Sequence, residues 1–211
     1  TIVTFDRPGE KKLSLYQLAD YPIKYQFISY PDISPTKNKL CKAYSYLYRK
    51  ILPKFGLTSD LYAHSSFPKE RQNVLIKVLQ DGGYDTVIGV HAFLAIRLAT
   101  IKKKLGNTKT IAWIHNSFEA LLGEGSPYLG SELKYHYGRQ IRKLDKVVVL
   151  YQQDAEMYKQ VFGYLPVSIY NPLTLKPGKQ SNGQNKRFLA VGLFSPKHKG
   201  FDLLIKAFVL F

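Results

Sequence analysis

His91 and His115 are the side chains whose placement most resembles chemistry. Each stands directly after a short apolar run, residues 86–90 and residues 111–114. Such runs suit short buried strands. A titratable ring at the carboxyl end of a strand occupies the position where open α/β sheets bind ligands. A histidine there also serves as a hydrogen-bonded structural residue, and the local pattern does not separate the two. A second candidate is the loop 192–200, which runs from Gly192 to Gly200 and carries Lys197 and Lys199. Backbone amides at a helix start, joined by a lysine ammonium, cradle a phosphate or diphosphate. The same residues also suit a solvated basic loop. His64, His136 and His198 lack a comparable context, and no acidic or histidine partner stands at metal-ligand spacing, so no metal is expected. The glycine-rich dinucleotide and P-loop patterns, the paired-histidine zinc pattern and the nucleophile elbow are all absent.

The elements that must hold these residues alternate. Residues 2–5 read as a strand, 6–9 as a turn and 24–29 as a second strand. Pro31 and Pro35 break the chain, and a helix is expected over 36–52, ended by Pro53. Its lysines are interleaved with leucines and tyrosines, which fits either a basic helix on an anionic membrane surface or a surface helix whose tyrosines pack on the sheet. Ser66, Pro68 and Glu70 open the next helix, with Val74, Leu75, Val78 and Leu79 as its apolar face, and residues 81–83 stop it. Strand 86–90, helix 92–104, strand 111–114, helix 129–144, strand 146–150, helix 154–162 and strand 167–170 follow. Strands alternating with helices at this spacing predict a parallel, doubly wound α/β sheet with helices on both faces. Asn171 and Pro172 end the pattern, and the polar, glycine-containing stretch that follows reads as a linker, 173–186. A strand at 188–191, the loop 192–200 and a helix from 201 then open a second α/β unit.

The 211 residues carry 31 basic and 15 acidic side chains, a formal charge of +16. A negatively charged partner is expected, and charge alone does not distinguish nucleic acid, anionic lipid and phosphorylated small molecules. One cysteine, Cys41, excludes an internal disulfide framework. No apolar run approaches the roughly 18 residues that cross a bilayer. The sequence opens without Met and without a charged and apolar leader, and residues 1–5 read as a strand already under way. A fragment of a cytoplasmic protein, either soluble or peripheral on the inner face of a membrane, is the expectation.

Four stretches carry a resemblance: 111–117 (IAWIHNS), 144–150 (LDKVVVL), 169–173 (IYNPL) and, most specific, 188–208 (FLAVGLFSPKHKGFDLLIKAF). Together they resemble the retaining glycosyltransferases of family 4, whose GT-B fold faces two Rossmann-like domains across a cleft. The resemblance implies an acceptor-side domain over 1–172 without its first strand, the linker, and a truncated donor domain over 187–211. It implies transfer of a sugar from a nucleotide diphosphate sugar to a glycan or lipid-linked acceptor with retention, in cell-surface polysaccharide or lipopolysaccharide synthesis, with no metal or other cofactor. His115 matches the histidine that reaches the transferred sugar. Lys199 matches the lysine on the donor diphosphate, with Gly192 and Lys197 beside it. Asn116, Glu124 and Gly125 fall to the acceptor-side loops. Leu193 departs from the family, which places an arginine after the glycine. The family's first strand and its paired-glutamate donor segment fall outside these residues, so the fragment alone is expected to be inactive. Two rivals are a basic nucleic-acid-binding module, in which the aromatic residues near Tyr44 stack on bases, and a sugar epimerase of the same fold.

Overall fold

The computed structural model describes residues 1–5, 22–172, 178–179, 182–184, 188–192 and 199–210. They divide into two compact units, Thr1–Asn171 and Pro172–Phe211.

The first unit is built on four parallel strands in sequential order, β3 (Thr86–Val90), β4 (Lys109–Trp113), β5 (Lys146–Val149) and β6 (Val167–Ser168). Helix α4 (Ala92–Ile101) joins β3 to β4 and packs on both, while α7 (Gln152–Phe162) does the same for β5 and β6. Each crossover steps to the next strand in the same direction. Crossovers of one hand that step one way all fall on one face. The side chains agree with this: Thr110, Ala112, Val147 and Val149 are fully buried, whereas Ile88 and Val90 on the alternate positions are 47% and 45% exposed. Among the described residues the crossover helices α4 and α7 cover one face, and on the other Ile88 and Val90 are exposed while Ile111, Trp113 and Val148 are half-buried.

Two further strands, β1 (Ile2–Thr4) and β2 (Tyr25–Phe27), pair in parallel as a separate sheet. A cavity of about 450 Å³ lies between β1 and β3 and is lined by both. The two sheets stand too far apart there for a shared ladder, so the single continuous sheet expected from the sequence appears as two. Side chains bridge them instead. Phe5 stacks on Tyr30, Tyr30 meets the edge of Phe67, and the Arg97 guanidinium lies 5.4 Å and 5.5 Å from the Phe5 and Phe67 rings.

A helical layer flanks the sheets: α1 (Pro35–Lys50), α2 (Gly56–Ser66), α3 (Lys69–Asp81) and α6 (Lys134–Ile141). Ser34 caps α1, with Pro35 in its first turn. Tyr48 is fully buried, stacked 4.5 Å from Tyr62 of α2 and edge-on to His136 of α6, so it packs on helices and not on the sheet. The Arg139 guanidinium of α6 bonds Asp60 of α2 through two nitrogens, at 2.7 Å and 3.2 Å. Arg139 chiefly holds the Asp60 carboxyl down at about 2. The expected helix over 129–144 begins later, because Gly130 takes φ 75 and a single 3-10 turn precedes α6. Short helix α5 (Phe118–Leu122) lies between β4 and that turn.

In the second unit, α8 (Phe201–Val209) starts after Gly200 at φ 63. The strand expected at 188–191 is absent: these residues pair with no neighbour among the described ones, and Leu189 is 89% exposed. An extended segment without a ladder partner leaves its backbone groups to solvent and is not a strand. The Phe188 and Phe208 rings meet at 5.4 Å. Most of the expected linker falls outside the described residues.

Candidate functional site

Strands β3 and β4 end side by side, with Val90 opposite Trp113, and the His91 amide donates to the Trp113 carbonyl at 2.9 Å. His91 then leaves the strand at φ 73 and ψ 151, the one positive-φ residue other than glycine among those described. Holding a non-glycine residue there costs of order 1–3 kcal/mol, and such strain concentrates at binding and catalytic sites. The conformation turns the chain at once into α4, whose Ala95 amide bonds the His91 carbonyl at 3.0 Å. Gly89 makes the tight turn feasible, since a Cβ at that position would lie 3.1 Å from the Ala95 backbone.

The His91 ring stacks on Phe93 and tilts against Tyr128, each at 5.6 Å. Burial, and secondarily the nearby His115 imidazole, push the His91 pKa below its ordinary value. At neutral pH the ring is uncharged, with one nitrogen donating and one accepting. His115 lies two residues beyond β4, exposed, its ring 5.1 Å from Trp113. The turn that carries it is tied down on its far side. Ser117 caps α5 by accepting from the Ala120 amide at 3.2 Å, and the Phe118 amide donates to Asp154 of α7 at 2.8 Å. Two polar atoms beside His115, Trp113 Nε1 and Asn116 Oδ1, are buried without a hydrogen-bond partner. A buried orphan donor or acceptor costs roughly 1–3 kcal/mol, and a bound hydroxyl relieves that cost.

The strand ends thus gather a neutral imidazole, an indole N–H, an amide oxygen and a phenol ring, the kinds of group that line sites for polyhydroxylated ligands. Trp113 and Tyr128 escape sequence reasoning, since one sits inside a strand and the other in a loop. The only advance signal is the closeness of Tyr128 to the glycine-rich stretch 123–127. Glu124 and Gly125, at the tip of that loop, are exposed and bond neither histidine. In the second unit a Cβ on Gly192 would come within 3.9 Å of the Lys199 side chain, so those two residues are neighbours, and Lys199 is exposed. Lys197 and Leu193 lie outside the described residues. Among the described residues no group of three His, Cys, Asp or Glu side chains is placed to hold a metal, and no helix is long and apolar enough to cross a membrane. Compared with protein-family models, curated proteins and solved structures, the chain gives no match.

Proposed function

We propose that this chain is the acceptor-side domain of a retaining GT-B glycosyltransferase, followed by the opening of its donor domain. The strand-end pair of His91 and His115 supports the reading most, because both rings stand at ligand-binding ends of parallel strands and one sits on strained backbone. His115 meets a hydroxyl of the transferred sugar. Lys199 faces the donor diphosphate, where a fixed cation stabilises the charge that develops on the leaving group.

The acceptor is a glycan or lipid-linked sugar at an anionic membrane surface, with α1 as the contacting element. Along α1, Lys39, Lys42, Arg49 and Lys50 are exposed on one arc, and Leu40, Leu47 and Ile51, exposed by 67%, 39% and 68%, form the neighbouring stripe. Only Tyr46 of the three tyrosines on this helix is mostly exposed, at 62%, which leaves little for base stacking.

The test is release of nucleoside diphosphate from a panel of nucleotide sugars by the whole natural polypeptide. His115→Ala is expected to lower kcat by about 10²-fold. The unfolding midpoint should not move, since the exposed ring makes no hydrogen bond. Turnover unaffected by the substitution removes His115 from the reaction, and a panel that yields no release at all sinks the transferase reading.

A further inference from the structure

Outside the strand ends, a hollow of about 500 Å³ opens between α1 and the turn that joins α2 to α3. Four cations line it, Lys42, Arg49, Lys50 and Arg71, and no carboxylate does among the described residues. Arg49 is paired, with Glu132 at 2.7 Å. Lys42 and Lys50 form no ion pair, and Arg71 leans over the Tyr30 ring with its Nε buried and unpartnered. Hydroxyls converge on the same space, the Ser45 and Ser65 oxygens lying 3.1 Å apart. Pro68 and Arg71 place the first turn of the 13-residue α3 at its wall, where the helix dipole favours negative charge.

We propose that this hollow is a phosphate-binding site. Of these four cations only Arg49 has an ion-pair partner among the described residues; Lys42, Lys50 and Arg71 have none, and an anion between them relieves their mutual repulsion. A guanidinium fork matches paired phosphate oxygens, and the Lys42 and Lys50 ammoniums add donors beside it. The volume exceeds a bare phosphate and accommodates a phosphorylated sugar or a lipid headgroup. In a second basic groove, along α6, two of the four lining cations, Arg139 and Lys143, are already bonded to Asp60. The site shares Lys42, Arg49 and Lys50 with the membrane-facing arc of α1 but does not touch the strand ends, and needs no turnover to be seen.

Calorimetric titration with inorganic pyrophosphate is the test. Arg71→Gln, and separately the double change Lys42→Gln with Lys50→Gln, are expected to weaken binding at least tenfold. Lys103→Gln with Lys104→Gln, an equal loss of charge on exposed residues remote from the hollow, should change it less than twofold. Where Arg71→Gln fails to fold by circular dichroism, Arg71→Lys takes its place and should weaken binding severalfold. A second arm uses phosphatidylcholine vesicles with and without phosphatidic acid. Vesicle binding that pyrophosphate displaces and that Arg71→Gln abolishes identifies a lipid phosphate; pyrophosphate binding without it identifies a soluble one. Absence of pyrophosphate binding, or equal weakening in the Lys103 and Lys104 variant, overturns the proposal.

Discussion

At His91 the backbone and the ring make separable contributions. The ring meets Phe93 and Tyr128, while the backbone is strained at φ 73 whatever the side chain. His91→Gly and His91→Ala both delete the ring, but only glycine relaxes at that φ, so the glycine variant is expected to be the more stable by about 1 kcal/mol. Denaturant unfolding of the two variants checks this, and equal midpoints would mean that the strain is absent. Both histidines could be found from the sequence because each ends a short apolar run. Trp113 could not, since within a strand it reads as core, and its buried, unpaired nitrogen becomes apparent only once the neighbouring strands are placed.

Between elements, contacts were legible in proportion to their apolarity. Helices α3 and α4 announce themselves by aliphatic residues at helical spacing, and α7 by Ala155, Tyr158 and Phe162. Helix α2 does not: its buried residues are Thr58, Ser59, Tyr62 and Ala63, and it is held by hydroxyl bonds such as Thr58 Oγ1 to the Pro53 carbonyl at 2.8 Å. A helix whose inner face is half polar has no apolar stripe to read. Its contact with α6 centres on His136, fully buried, with Nδ1 2.8 Å from Ser59 Oγ. Burial chiefly, helped by Lys143 and Arg139 and opposed by Asp60 and the Ser59 bond, lowers the His136 pKa to about 4. The unfolded chain, near 6.5, takes its proton first, so stability falls as pH drops from about 6.5 to about 4, by roughly 2–3 kcal/mol. Urea midpoints across that range should show the loss. The His136→Asn variant, which does not titrate, should have a lower midpoint at pH 7 and a flatter profile. Where α6 meets α7, a Cβ at Gly138 would lie 2.4 Å from the buried Phe162 ring. Gly138→Ala is expected to destabilise by about 1–3 kcal/mol despite its gain in helix propensity. A raised melting temperature would contradict that close approach.

For the whole molecule, the charge of +16 sets behaviour at a surface. Each lysine or arginine near an anionic bilayer contributes about 1 kcal/mol, and raising salt from about 0.1 M to 1 M shortens the Debye length from about 10 Å to 3 Å. Sedimentation with anionic vesicles is therefore expected to weaken at least tenfold over that range. Binding that persists on neutral vesicles would mean that charge is not its source. The parallel α/β class was legible because strands and helices alternate along the chain; the separation into two sheets was not, because periodicity records which side of a strand is apolar and not which strand lies next to it. That separation has a consequence for how the molecule opens. The Ile28 amide bonds Thr4 at 2.8 Å and the Ile114 amide bonds Val148 at 2.9 Å, two similar bonds in different sheets. With only side chains spanning the cavity, the small sheet can detach as its own cooperative unit at a lower free energy than the larger one. In deuterium exchange Ile28 should lose its proton well before Ile114, and identical rates would mean that the two sheets open as one.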